Sequence, residues 1–263
     1  MRRNGLLVMN SVIVLACLLG LWQAVISLNH IKPYILPGPL AVARAVHDRF
    51  PSLMSSLMIT TEEAAGGLAA SIVVGVAVAL IFAQFQWVRK LVYPYTILLQ
   101  TVPILAIAPL IINWIGAGIL AVTMVTFIIC LAPIIANTTQ GLVSVDENFV
   151  HLFLMYKATP AQVLLKLRLP NALPNLFTGV RISAGISVIG ALTGELFAGS
   201  PQVGRGGLGY AITYANNQME TAYMFALVFA ATMLGFGFFF IVMFLEWLAL
   251  HNWHESKRPQ TAE

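Results

Sequence analysis

Charge is what this sequence has least of. Only 9% of its 263 residues are Asp, Glu, Lys or Arg, while 59% are apolar; a soluble domain carries roughly 25% charged residues. No charged side chain occurs from Leu91 to Val145 or from Thr221 to Leu245. A helix needs roughly 20 apolar residues to cross about 30 Å of hydrocarbon, so the first gap accommodates two crossings and the second one. That excludes a soluble globular class. Cysteine is scarce as well. Cys17 and Cys130 both fall inside apolar runs, which excludes a disulfide framework and a cysteine metal site. No G-x-x-x-x-G-K-[ST] stretch exists, so the chain carries no nucleotide phosphate loop of its own. The five histidines (His30, His47, His151, His251 and His254) lie in or near loops, with no converging Asp, Ser or Cys to build an active site. The net charge of +4 is spread over loops and gives no nucleic-acid footprint.

What is present reads as an all-α integral membrane protein with about six spans, near 6–28, 62–85, 91–113, 117–138, 174–197 and 221–248, in a single domain 1–263. The first follows Met1-Arg2-Arg3 and exceeds a usual signal core, so it reads as a retained span. Lys and Arg set the orientation. With the N-terminus inside, Arg2, Arg3, Arg89, Lys90, Lys157, Lys166, Arg168, Arg181, Lys257 and Arg258 collect on the inner side, against Lys32, Arg44, Arg49 and Arg205 outside. Both termini are then cytoplasmic. Outside, Leu36-Pro37-Gly38-Pro39 forms an extended turn before a short amphipathic helix, Leu40–Phe50, suited to the interface. A second outer loop, Gly199–Met219, is rich in glycine; no strand precedes it and it faces the outer side, so it reads as a flexible or docking loop and not a phosphate loop.

One segment breaks the apolar pattern. Between spans four and five, 139–173 carries charges and prolines. Val145-Asp146-Glu147 reads as a helix start, Asn148–Lys157 as one short helix, and Ala161–Leu169 as a second. Thr159 and Pro160 suit the cap and first position of the latter. The two helices, with an apolar face at Leu152, Leu154, Met155 and Tyr156, make a protruding knob fit for docking in a groove on another protein.

From Val145 to Arg181 the chain resembles the signature loop E-A-A-x-x-x-G-x(9)-I-x-L-P of binding-protein-dependent ABC importer permeases, and within them the nitrate/sulfonate/taurine/bicarbonate branch. The residues that carry the resemblance are Val145-Asp146, Ala158-Thr159, Gln162, Leu167-x-Leu169-Pro170, Ala172-Leu173-Pro174 and Thr178-Gly179-Val180-Arg181. Further matches are Leu36-Pro37-Gly38-Pro39, Thr101-Val102-Pro103 with Ala108-Pro109-Leu110 and Trp114-Ile115-Gly116, and Gly207-Leu208-Gly209-Tyr210. The hallmark itself departs: His151-Leu152-Phe153 stands where the family has Glu-Ala-Ala, and Lys157 stands at the signature glycine, which puts the docking geometry in question.

The resemblance implies a type I importer permease in a bacterial inner membrane, pairing with a second copy as a homodimer. Two ATPase subunits would bind below, and an extracytoplasmic binding protein would deliver substrate. ATP and Mg would sit on the ATPases; this chain would bind no cofactor and catalyse no reaction. The coupling residues it implies are Asp146, His151, Met155, Tyr156, Lys157, Ala158, Thr159, Pro160, Gln162, Leu169 and Pro170. For the pathway or gate, the third span kinks at Pro103 beside Gln100 and Thr101, and Glu195 is a carboxylate near the outer end of span five. The substrate class is a small polar or anionic nutrient: nitrate, sulfonate, bicarbonate or a vitamin precursor. Glu63 with Gln100-Thr101 looks like members tied to thiamine-pyrimidine or flavin precursors. The competing reading is a secondary transporter or channel without an ATPase. It lacks a paired set of mid-membrane carboxylates and leaves the hairpin unexplained.

Overall fold

Helices alone build the described part of the chain. The computed structural model describes residues 2–198 and 206–251; Arg205 and Gly204 of the outer loop, and His254, Lys257 and Arg258 of the C-terminus, lie outside them. In order the helices are α1 (Arg2–Leu28), α2 (Pro39–Asp48), α3 (Phe50–Gln84), α4 (Gln86–Leu98), α5 (Ile104–Ile115), α6 (Ile119–Val143), α7 (Glu147–Met155), α8 (Pro160–Val163), α9 (Leu169–Ala198), α10 (Leu208–Asn217) and α11 (Thr221–Leu250). Among the described residues α3, α6, α11 and the continuous run Pro160–Ala198 are long and apolar enough to cross a membrane, with shorter apolar helices at Ala16–Leu28 and Ile104–Ile115. The chain is an all-α membrane protein.

Three elements depart from the sequence reading. The stretch 91–113 is not one helix: the chain breaks over Leu99–Pro103, and Pro103, in extended conformation, starts α5. Proline has no N–H to continue the α4 ladder and disfavours helix in the residue before it. The second long helix begins at Phe50, not near 62. At 1.5 Å per residue its 35 residues run about 50 Å, well past the hydrocarbon core. The second hairpin helix is not separate either. α8 passes through a π turn, Leu164–Arg168, straight into α9. There Leu169 N–H reaches the Leu164 carbonyl, five residues back. The widened turn sits just before Pro170, which has no N–H to give.

α6 and α9 form the centre, with α3 packed on α6 and α11 on α9. Lipid tails are as apolar as leucine, so close backbone approach and polar contacts hold such helices together. A Cβ on Gly67 of α3 would lie 2.5 Å from Thr126 Cβ, and one on Gly190 of α9 would lie 3.1 Å from Thr126 Cα. Both helices therefore seat on α6 at one residue. Ser71 donates to the Phe127 carbonyl (2.8 Å) and Ser183 to that of Cys130 (3.0 Å), stitching α3 and α9 to the same helix. Arg181, counted among the inner-side basic residues, pairs with Glu246 of α11; pairing offsets the cost of placing either charge within the membrane. The flanks of α11 stay apolar and exposed at Phe236, Phe240 and Phe244.

Gly67→Ala should overpack the α3–α6 contact and destabilise by about 1–3 kcal/mol. The readout is a lower unfolding temperature in detergent than for Gly20→Ala, where an added Cβ meets nothing within 4 Å.

Candidate functional site

Two sites stand at opposite ends of α9, with a cavity between them. At the first, the chain leaves α6 and turns at Asp146, whose side chain accepts from Asn148 N–H at 2.8 Å and caps α7. Glu147 in the first turn complements the helix dipole. No residue of α7 is buried. Phe149, Leu152 and Leu154 are exposed, His151 is exposed, and Met155 and Tyr156 at its end are each 81% accessible. These apolar side chains stand exposed together as a knob beyond the end of α6.

The end of α7 explains Lys157. Its N–H bonds the Leu154 carbonyl (2.9 Å), and Ala158 N–H bonds that of Phe153 (3.0 Å). This is a Schellman cap, in which the residue after the C-cap is left-handed and usually glycine. Lys157 holds that place at φ 57. The turn that favours glycine is kept with a lysine in it, at a strain of about 1–2 kcal/mol. Thr159 then opens α8 with a full capping box: Gln162 N–H reaches Thr159 Oγ1 (3.3 Å) and Thr159 N–H reaches Gln162 Oε1 (2.8 Å), with Pro160 at the first position. The second arm is anchored. Leu164 and Leu169 pack on Ala79, Ala83, Leu142 and Ala172. Arg168 donates to the Ala83 carbonyl at 2.8 Å, and Pro170 lies half-buried in the first turn of α9. One arm is therefore free and apolar, the other fixed to the spans.

At the far end, Glu195 is 2% exposed. It accepts from Thr60 Oγ1 (2.6 Å) and from Gly209 N–H, while Thr60 Oγ1 accepts from Leu208 N–H (2.8 Å). The carboxyl group and the hydroxyl of two spans thereby cap the start of α10. Glycine is required there, since a Cβ on Gly207 would come within 2.0 Å of Glu195 Oε1. Ser56 donates to the Gly206 carbonyl (2.8 Å) and completes the latch. Glu63 is 3% exposed beside Glu195, so the fold brings together two buried carboxyl groups that the sequence did not pair, and among the described residues Glu63 Oε2 has no hydrogen-bond partner.

Between the ends lies a cavity of about 510 Å³, lined by Gln100, Ile129, Pro133, Asn137, Ile186 and neighbouring aliphatic residues, with no charged side chain. Gln100 faces it. Thr101 does not line it and turns its hydroxyl to the Leu98 carbonyl (2.8 Å). Pro103 sets the break that opens it, and Glu195 belongs to the latch, away from its walls. Asn137 was missed from sequence. An amide four residues past Pro133, in an apolar run, was the signal, and its Nδ2 donates to the Pro133 carbonyl (2.8 Å).

The comparisons with known proteins agree with one another. The family model described as binding-protein-dependent transport system inner membrane component matches residues 71–249. A probable ABC transporter permease protein of Haemophilus influenzae is 30% identical over 240 residues, 91% of this chain and 94% of the relative. A formylaminopyrimidine transport permease protein of Halalkalibacterium halodurans is 34% identical over 205 residues, 78% and 80% of the two chains. A riboflavin transport system permease protein of Chloroflexus aurantiacus is 30% identical over 246 residues, 93% and 90%.

Thr60→Val should leave Leu208 N–H and the Glu195 carboxyl without their shared partner. A buried polar group left unsatisfied costs about 1–3 kcal/mol, so amide exchange in Leu208–Asn217 should accelerate while that of α6 stays slow.

Proposed function

The chain belongs to the family of binding-protein-dependent transport system inner membrane components, the permease subunits of ATP-binding-cassette importers, and on that premise we propose how it carries substrate across the membrane. It is a multi-pass membrane subunit that works with an ATPase and a substrate-binding protein, and it is not itself an enzyme. In our reading two copies pair as a homodimer in the plasma membrane with both termini cytoplasmic. Each hairpin enters a groove on one of two ATPase subunits.

The free apolar arm Glu147–Met155, ending in Met155 and Tyr156 and set on an anchored second arm, is the observation that carries this reading. Residues Asp146, His151, Lys157, Ala158, Thr159, Pro160 and Gln162 shape or flank that arm, and Leu169 and Pro170 join it to the spans. Closure of the ATPases on ATP would move the tip. Because α8 and α9 are continuous, the displacement would pass along α9 to the Glu195 latch and to α10, where the binding protein would release its load.

The substrate, in this reading, is a small polar nutrient, and the cavity narrows it. A wall without a cation would strip water from an anion and offer no opposite charge in return. The amides of Gln100 and Asn137 instead offer both donors and acceptors. A neutral, hydrogen-bonding heterocycle of the vitamin-precursor kind fits better than nitrate, sulfonate or bicarbonate. The pyrimidine- and riboflavin-named relatives point the same way.

Deleting Lys157–Pro160 should abolish co-purification of the ATPase while membrane insertion is unchanged. Lys157→Gly, which relieves the left-handed lysine, should retain it and raise the unfolding temperature slightly. ATPase recovered at wild-type yield with the deletion would refute the docking reading. Gln100→Leu should lower uptake of the transported heterocycle about tenfold, as expected for one lost hydrogen bond, with assembly intact.

A further inference from the structure

A second cavity, of about 430 Å³, lies at the root of the hairpin, between the α3–α4 turn and α7. Gln86, Arg89, Glu147, Val150, His151 and Arg168 meet there from three elements. Arg168 is held inward by the Ala83 carbonyl. That bond uses one of the five donors of its guanidinium. The side chain of Arg89 is half-buried and makes no hydrogen bond to the described residues. Neither arginine has a carboxylate within ion-pair distance among the described residues, where the pairs are Arg49–Glu220 and Arg181–Glu246. The cleft thus holds two unmatched guanidinium groups against one carboxylate.

One further observation favours an anion. α4 starts at Gln86 with no side-chain cap, so its first backbone N–H groups are unclaimed at the rim. Two guanidinium groups and an open helix start therefore meet in this cleft. Planar guanidinium forks suit the tetrahedral oxygens of phosphate better than a single carboxylate.

We propose that this cleft binds a phosphate-type anion between Arg89 and Arg168, with His151 and the α4 N-terminus closing around it. The bound group bridges the fixed α3–α4 turn and the free arm α7, so it sets the position of the arm relative to the spans. Given the inward orientation of the hairpin, on which this inference rests, the source is either the headgroup of an inner-leaflet phospholipid or a soluble phosphate ester.

The test uses the assembled importer, this chain with its ATPase, in nanodiscs of phosphatidylcholine with or without phosphatidylglycerol. Retained phosphatidylglycerol is read by native mass spectrometry and ATP hydrolysis by rate. In parallel, inorganic phosphate is titrated against unfolding temperature. The proposal expects one of the two ligands to bind the wild type at least roughly tenfold more tightly than Arg89→Gln/Arg168→Gln, a loss of about one charge-assisted hydrogen bond. Phosphatidylglycerol retention that depends on the arginines assigns the headgroup, and an arginine-dependent phosphate shift assigns the soluble ester. Equal behaviour of wild type and variant in both arms overturns it. Should the double variant not assemble, Arg89→Gln alone decides, because that side chain holds no other described element in place. Failure of the wild-type chain to retain its ATPase would sink the docking reading and leave the cleft result standing.

Discussion

Everything in this structure hangs from the unbroken helical column Pro160–Ala198. One end is gripped by Leu164, Leu169 and the Arg168–Ala83 hydrogen bond, and the other by Thr60 and the start of α10 through Glu195. A rigid element fixed at both ends to different neighbours passes a displacement at one to the other; packed interiors shift between discrete arrangements and do not deform freely. The π turn is what makes the column possible, since it takes Pro170 into the helix without ending it.

The column also explains why the departures from the family hallmark are tolerable. The hallmark glycine position serves a left-handed Schellman cap, and Lys157 adopts that conformation while pointing into solvent. His151-Leu152-Phe153 lies on an arm with no buried residue, so its departure from Glu-Ala-Ala changes an exposed surface and not the fold. The turn between the two arms keeps its geometry, and the surface chemistry of the exposed arm is the part that differs.

Much of this was legible in the chain. The uncharged runs mark α6 and most of α11, and Thr159-Pro160-x-Gln162 announces its capping box because the signal is local. What depends on distant partners was not legible. Nothing near Glu195 in sequence shows that its carboxyl caps α10 with help from Thr60, 135 residues away. Nor does the chain near Arg181 reveal Glu246, 65 residues on. The break at Leu99–Pro103 was half visible: three prolines predict a kink, but whether a membrane helix bends or ends depends on neighbours that take up the freed backbone groups. The π turn was invisible for a related reason, since Pro170 alone would as readily signal a helix end.

The central claim is that the free arm of the hairpin is the contact through which ATP hydrolysis moves this column. It is tested most directly by site-specific cross-linking from Tyr156→Cys, in a chain whose Cys17 and Cys130 are replaced by serine, within the assembled importer. The account predicts a cross-link to the ATPase subunit whose yield changes when ATP is bound. Absence of any adduct with the ATPase in every nucleotide state, with the introduced thiol labelled instead by an impermeant reagent from the external face, would contradict it.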